Sequence, residues 1–419
     1  VTQTPFITQK RYPHSLAIFF TIFVSFNIFT THTCFAELPE GFVGPRPAGL
    51  GGAFTGVAND ENAFWTNPAG IARARKARSR NGVHIAKLPN AIIGYNTGSR
   101  GLYEAVKSAS DSEVAESIAE ADIISDKPFY VRGASFPVMI FESGKNQPMG
   151  FGLVANSVSK IYIDKDIPTD ARVVSISDTG ALFGLAFTTF ANRFNFGLTL
   201  RPTYRYAYED IVPVEDLKSS TDMSKRIRSE ANKGIGIGAD LGMLLTLSDF
   251  WFPTIGVAVR NLPTGCQADY LNPFTEERTK ICGTKYSGSD ANPDALSNID
   301  PMDLRAGVSI APRIALNFGI RFSADIHNLY LNTATNYYGL PGVDAAKLLH
   351  GGLEFFRGNP LEQSPFSLRV GANQGFVTYG ASIDLKWIHL DFASYGVDVS
   401  DKARRVEDRR YIAAAGLIF

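Results

Sequence analysis

The sequence predicts an all-β protein, a transmembrane antiparallel β-barrel of about 14 strands with an N-terminal hatch in its lumen. Three observations predict it. Long segments alternate apolar and polar residues with period two, their connections alternate between long and short, and the chain ends on an alternating segment closed by Phe419. A mean hydropathy of -0.03 would suit a soluble protein, but lipid-facing and lumen-facing residues average out in a barrel. The 38 glycines and 12% aromatics suit one long sheet with many turns and interfacial rings. Equal numbers of Lys+Arg and Asp+Glu, 41 each in 419 residues, leave no basic field for nucleic acid and no acidic field for cationic partners.

Residues 1–36 read as a secretory signal peptide: Lys10 and Arg11 precede the apolar run Leu16 to Phe29, and Cys34-Phe35-Ala36 offers a small-residue cleavage site. A transmembrane anchor is the competing reading, but the run is short and broken by Thr, Ser and Asn. Residues 37–78 do not alternate and are rich in small residues, compact enough to enter a lumen. Barrel strands are expected over 79–419, with a helical insert near 101–126, where Ser110 and Glu113 have capping-box spacing and Val114, Ile118 and Ala121 helical spacing.

The clearest strand carries Phe194, Phe196, Leu198, Leu200, Pro202, Tyr204, Tyr206 and Tyr208 on one face. Asn195, Thr199, Arg201, Thr203 and Arg205 fall on the other, and the three tyrosines predict an aromatic girdle at a membrane interface. Equivalent alternation starts at Ile235, Leu316, Phe366 and Val377. A soluble antiparallel sandwich also alternates, but these strands are long and one face is almost uniformly apolar. Long connections at about 96–127, 209–232, 262–300 and 327–346 alternate with short ones near Lys145, Asn192, Phe250, Pro312, Pro360 and Trp387, except for a tight turn near Gly375. Cys266 and Cys282 share one of the long connections, and in an exported chain they are expected to form a disulfide.

Within the non-alternating segment lie Arg46-Pro47-Ala48-Gly49-Leu50-Gly51-Gly52-Ala53-Phe54 and Phe64-Trp65-Thr66-Asn67-Pro68-Ala69-Gly70. The arrangement G-x-G-G-A-F followed by N-P-A-G resembles the N-terminal hatch of FadL-type outer-membrane transporters, the long-chain fatty-acid transporters with their PorV-like and TraF-like relatives. That resemblance implies a Gram-negative outer-membrane barrel for passive transport of hydrophobic compounds. Gly51, Gly52, Phe54, Trp65, Asn67, Pro68 and Ala69 would then form a gating plug. It also implies a hydrophobic small-molecule ligand, outer-membrane lipid around the wall, and recognition of Phe419 by the outer-membrane assembly machinery. The insert is more similar to the PorV-like and TraF-like branches, whose members include non-transport adaptors for secretion or envelope complexes. An inert plug that merely fills the lumen is the competing reading.

Two residue sets stay open at this level. Arg201, Arg205, Arg321 and Arg369 are expected to face the lumen, either to contact a ligand or to pair with carboxylates such as Asp240, Asp325, Asp384 and Glu354. Pro137 and Pro202 lie inside expected strands, as a wall defect or as tolerated bulges. No enzyme, cofactor or metal site is expected, because His84, His327, His350 and His389 have no spaced metal partner and no nucleophile motif. Gly234-Ile235-Gly236-Ile237-Gly238 fits lumen-facing strand glycines better than a phosphate loop.

Overall fold

The computed structural model describes residues 41–74, 82–108, 127–143, 147–163, 169–190, 193–271, 278–288, 298–315, 317–329, 345–399 and 405–419. The expected signal peptide lies outside them. Residues 41–74 form two short helices, α1 (Pro45–Gly49) and α2 (Ala63–Thr66), and a 3-10 turn over Pro68–Arg73. After them comes the sheet. Its strands are β1 (Val83–Asn96), β2 (Phe129–Ser135, resuming as Val138–Glu142), β3 (Pro148–Ile163), β4 (Asp170–Thr189) and β5 (Phe194–Pro213). Next come β6 (Asn232–Thr246), β7 (Thr254–Arg260), β8 (Asp303–Ile310, resuming as Arg313–Ala315), β9 (Phe318–Ile326) and β10 (Leu349–Arg357). The last are β11 (Phe366–Asn373), β12 (Phe376–Asp384), β13 (Ile388–Asp398) and β14 (Glu407–Ile418).

Neighbours pair antiparallel all the way round, so the sheet is a closed barrel of fourteen strands. The last strand returns to the first, with Asn96 opposite Arg410 and Ala91 opposite Ala415. Closure leaves no edge, so each strand's backbone groups are satisfied by its neighbours, which is what a hydrocarbon environment demands.

The expected faces are present. On β5, Phe196, Leu200 and Tyr206 are exposed while Asn195, Thr199, Arg201 and Arg205 are buried. Exposed Ile93, Leu153, Phe183, Ile237, Phe322, Leu368 and Leu390 carry the apolar face around the barrel. A belt this continuous is stable only against lipid. No helix among the described residues is long and apolar enough to cross a membrane.

The two rims differ. At one, short connections expose Phe190, Phe250, Trp251 and Trp387, together with the terminal Phe419. The other carries the long connections and the 374–375 turn, with Tyr95 stacked on Tyr411 at 5.6 Å and Tyr204 against Tyr206 at 4.9 Å. Tyr208 departs from expectation: it is buried, not part of a girdle. There β3, β4 and β5 run on past the belt, and their outward residues Ile163, Val173, Tyr208 and Val212 are covered by Leu102 of α3 (Thr97–Ser108) and by Met223 and Ile227 of α4 (Ser220–Glu230). Helix α3 begins before the expected insert, and Ser110, Glu113, Val114, Ile118 and Ala121 lie outside the described residues.

Between β7 and β8 a separate three-stranded sheet spans Gly265–Leu271, Arg278–Lys285 and Ile299–Pro301, and the Cys266–Cys282 disulfide joins its first two strands.

Leu200 faces lipid between Phe183 and Ala239. Replacing it (Leu200→Arg) is expected to cost about 2–4 kcal/mol of folding stability in lipid vesicles, measured by denaturant titration. A change near zero would place this face against protein or water.

Candidate functional site

The site is the barrel interior, and residues 41–74 occupy it. Almost all of them are buried. What lets a backbone lie this close to the wall is a set of inward-facing strand glycines. A Cβ at Gly242 would lie 2.0 Å from Asn67 Oδ1, and one at Gly197 2.2 Å from the Pro68 carbonyl carbon. One at Gly256 would meet the Thr55 carbonyl oxygen at 2.3 Å, and one at Gly184 the Ile71 side chain at 2.4 Å. On the opposite wall, Gly352 would meet the Leu50 carbonyl at 2.6 Å and Gly380 the Gly49 Cα at 3.2 Å. These positions belong to β4, β5, β6, β7, β10 and β12, so the close fit is distributed around the circumference.

The expected plug residues have distinct seats. Gly51 and Gly52 adopt φ of +66° and +86°, the left-handed region that glycine enters freely, and the turn they make lies against β10 and β11. The Gly51 carbonyl meets His350 Nδ1 at 2.8 Å. Phe54 lies beneath the Arg46 guanidinium, 5.2 Å from ring centre to Cζ. Trp65 stacks on Phe42 at 4.4 Å and faces the Arg201 guanidinium at 5.3 Å. Asn67 is the junction. Its Nδ2 donates to the Thr55 carbonyl at 2.8 Å and to the wall carbonyl of Met243 at 3.1 Å, while its Oδ1 accepts from Ala69 N–H at 3.2 Å and caps the Pro68–Arg73 turn.

Stronger anchors come from charge. Arg46 donates to both oxygens of Glu354 on β10, at 2.8 and 3.0 Å, and to Asp60 at 2.8 Å. Glu354 also receives Arg321. Lys87 of β1 reaches Glu61 at 2.6 Å, and Asp325 of β9 accepts the Thr55 N–H at 2.6 Å. Sequence reasoning passed over Arg46, Asp60, Glu61 and Lys87 as binding elements. The signal was available, since a charged residue in a segment bound for an interior must find a partner.

All four expected lumen arginines face inward and are buried, and each has a carboxylate partner. Arg201 pairs with Asp240 at 2.9 Å, Arg321 with Glu354, and Arg369 with Asp391. Arg205 bonds Asp178 at 2.7 Å and, across the lumen mouth, Asp300 of the separate sheet at 2.7 Å. Tyr286 donates its hydroxyl to Asp300 at 2.8 Å and lies 3.8 Å beneath the Arg205 guanidinium, so the disulfide-joined sheet is fastened to the inner wall. Burial, the largest single influence, would push the Asp300 carboxyl up, but the Arg205 charge, the hydrogen bonds from Arg205 and Tyr286 and the Arg201 charge together outweigh it and hold the group below its ordinary range. Asp384 and Asp325 serve other partners, His389 at 2.5 Å and the Thr55 N–H.

The two prolines interrupt the wall mildly. Pro137 separates the halves of β2, yet its carbonyl accepts from Leu153 N–H at 3.0 Å, and the pairing with β1 moves by one residue across it, from Lys87 opposite Val138 to Ala91 opposite Ser135. At Pro202 the β4–β5 ladder skips the facing residues 181–182 and 201–202 with its register unchanged.

No protein-family model matches the chain, and no curated protein matches it. Solved structures do. A TodX deltaS2S3 mutant monoaromatic hydrocarbon channel aligns with TM-score 0.52 at 11% identity, covering 90% of this chain and 98% of that one. A TodX monoaromatic hydrocarbon channel deltaS2 mutant gives TM-score 0.51 at 12% identity, covering 90% and 98%. At such identities the likeness is one of fold.

Replacing Glu354 alone (Glu354→Ala) leaves Arg46 and Arg321 facing each other without their shared counter-charge. The expected loss is about 3–5 kcal/mol, read from denaturant unfolding of the purified barrel. Adding Arg46→Met should recover part of it; a silent Glu354→Ala would mean that this cluster does not hold the segment.

Proposed function

We propose that the chain is an outer-membrane barrel for passive passage of hydrophobic compounds, with residues 41–74 as a plug that must shift to let them through. The observation that carries this reading is the character of the plug's seat. It touches the wall through an apolar cluster with Phe136, Ile140 and Leu182, through glycine-permitted backbone contacts and through a few polar anchors, while no ladder of the sheet runs through it, so it can be displaced without unpairing the strands. Two structures of the same fold are monoaromatic hydrocarbon channels, which favours small or elongated apolar solutes over hydrophilic ones. In this reading the long-connection rim faces outward from the cell, the short-turn rim faces the periplasm, and Phe419 is the residue that the assembly machinery recognises. Long-chain fatty acids and monoaromatic hydrocarbons are the solutes to try first.

A second reading, a non-transport adaptor, is favoured by one observation. Of the cavities at the two rims, one beside Arg73 and Arg321 and one beside Asn96 and Asp408, neither is an apolar chamber above the plug. An adaptor would present outer elements such as α4, where Arg226 gathers Asp210, Asp216 and Glu230.

Uptake by outer-membrane vesicles separates the two. The transport reading expects entry of a labelled long-chain fatty acid or toluene but not of a small sugar. Asn67→Ala, which removes the cap and the wall contact, should lower that entry several-fold. Uptake of neither class would sink transport and leave the adaptor.

A further inference from the structure

The charges beneath the plug do not balance locally. Arg46 and Arg321 share Glu354, and Arg46 also takes Asp60, so two guanidiniums meet two carboxylates. A third guanidinium, Arg73 at the end of the plug's 3-10 turn, is only 6% exposed. Its contacts are neutral. Nη2 donates to Thr246 Oγ1 at 2.7 Å, and with the Asn195 amide turned to face it, Asn195 Oδ1 accepts from Nε at 3.0 Å and from Nη2 at 3.2 Å. Among the described residues no carboxylate pairs with it. Burial, reinforced by the Arg321 charge, pushes the Arg73 guanidinium down to about 10. A buried charge without compensation costs several kcal/mol, and guanidinium does not relieve that cost by deprotonating near neutral pH.

Arg73 and Arg321 line one cavity, together with the hydroxyl-bearing Thr254 and Ser309. Its mouth lies at the short-turn rim, between Phe252 of the β6–β7 turn and Pro360-Leu361 of the β10–β11 turn. The cavity's free volume is about 10 Å³, room for a single water-sized particle. We infer that this cavity binds one small inorganic anion of halide size, held between Arg73 of the plug and Arg321 of the wall. The ion supplies the missing negative charge and ties the end of the plug to β9. Narrow space between two turns excludes extended organic acids and leaves a monatomic anion as the best fit. The site stands whether or not the plug moves, so it is independent of the transport reading.

The test uses the whole protein in detergent. Thermal unfolding is followed in sodium chloride, sodium bromide and sodium gluconate at equal ionic strength. Chloride and bromide should raise the unfolding midpoint saturably, gluconate should not, and Arg73→Gln should abolish the difference. Bromide anomalous scattering from crystals of the unaltered protein should place a peak between Arg73 and Arg321, which keeps the test decisive even if the variant does not fold. Parallel midpoints in the three salts, a halide effect that persists in Arg73→Gln, or an empty cavity in the bromide map would each overturn the inference.

Discussion

The closeness of residues 41–74 to the inner wall is the constraint on which the other features depend. A closed sheet has an inner face that must be filled or wetted, and here residues 41–74 fill it, with an apolar cluster around Phe64, Trp65 and Phe136 on one side and with backbone laid directly on the wall elsewhere. That contact is possible only where the wall has no Cβ, at Gly197, Gly242, Gly256, Gly352 and Gly380. Once the backbone sits there, its polar groups cannot reach bulk water and must be satisfied from the wall. Asn67 on Met243, Thr55 on Asp325 and Gly51 on His350 are the outcome.

The same closeness explains the charge pattern. Arginines placed in a narrow interior seek partners across strands, and Arg201, Arg205, Arg321 and Arg369 all do. Their pairing ties neighbouring strands and the mouth sheet together more than it prepares a ligand site. Buried pairs of this kind add little net stability, but removing one partner is severe. The lumen is therefore specific in its arrangement and sensitive to single changes, while the lipid-facing wall tolerates any apolar residue of fair size.

Much of the fold was legible because lipid enforces simple rules. Period-two alternation located β5, β6, β9, β11 and β12 with their faces the right way round, and alternating connection lengths separated the two rims. Sequence spacing cannot reveal that β3–β5 continue beyond the belt and that α3 and α4 cover them, which is why alternation alone puts Tyr208 in a girdle. Nor could it say which carboxylate meets which arginine, because Arg205–Asp300 and Arg369–Asp391 depend on register and on the path of a long connection. Alternation alone marks the glycines at 234–238 as lumen-facing. Their commonest purpose in this wall, leaving room for another backbone, needed the fold.

Under the proposed transport function, residues 41–74 must leave their seat on this wall for solutes to pass. A Cβ built on Gly49 lies 3.5 Å from Ala393 Cβ, a separation suited to a disulfide. In the Gly49→Cys, Ala393→Cys protein, oxidation should cross-link the plug to β13 and stop uptake of the hydrophobic solute, and reduction should restore it. A cross-linked protein that still takes up solute at the original rate would contradict the account.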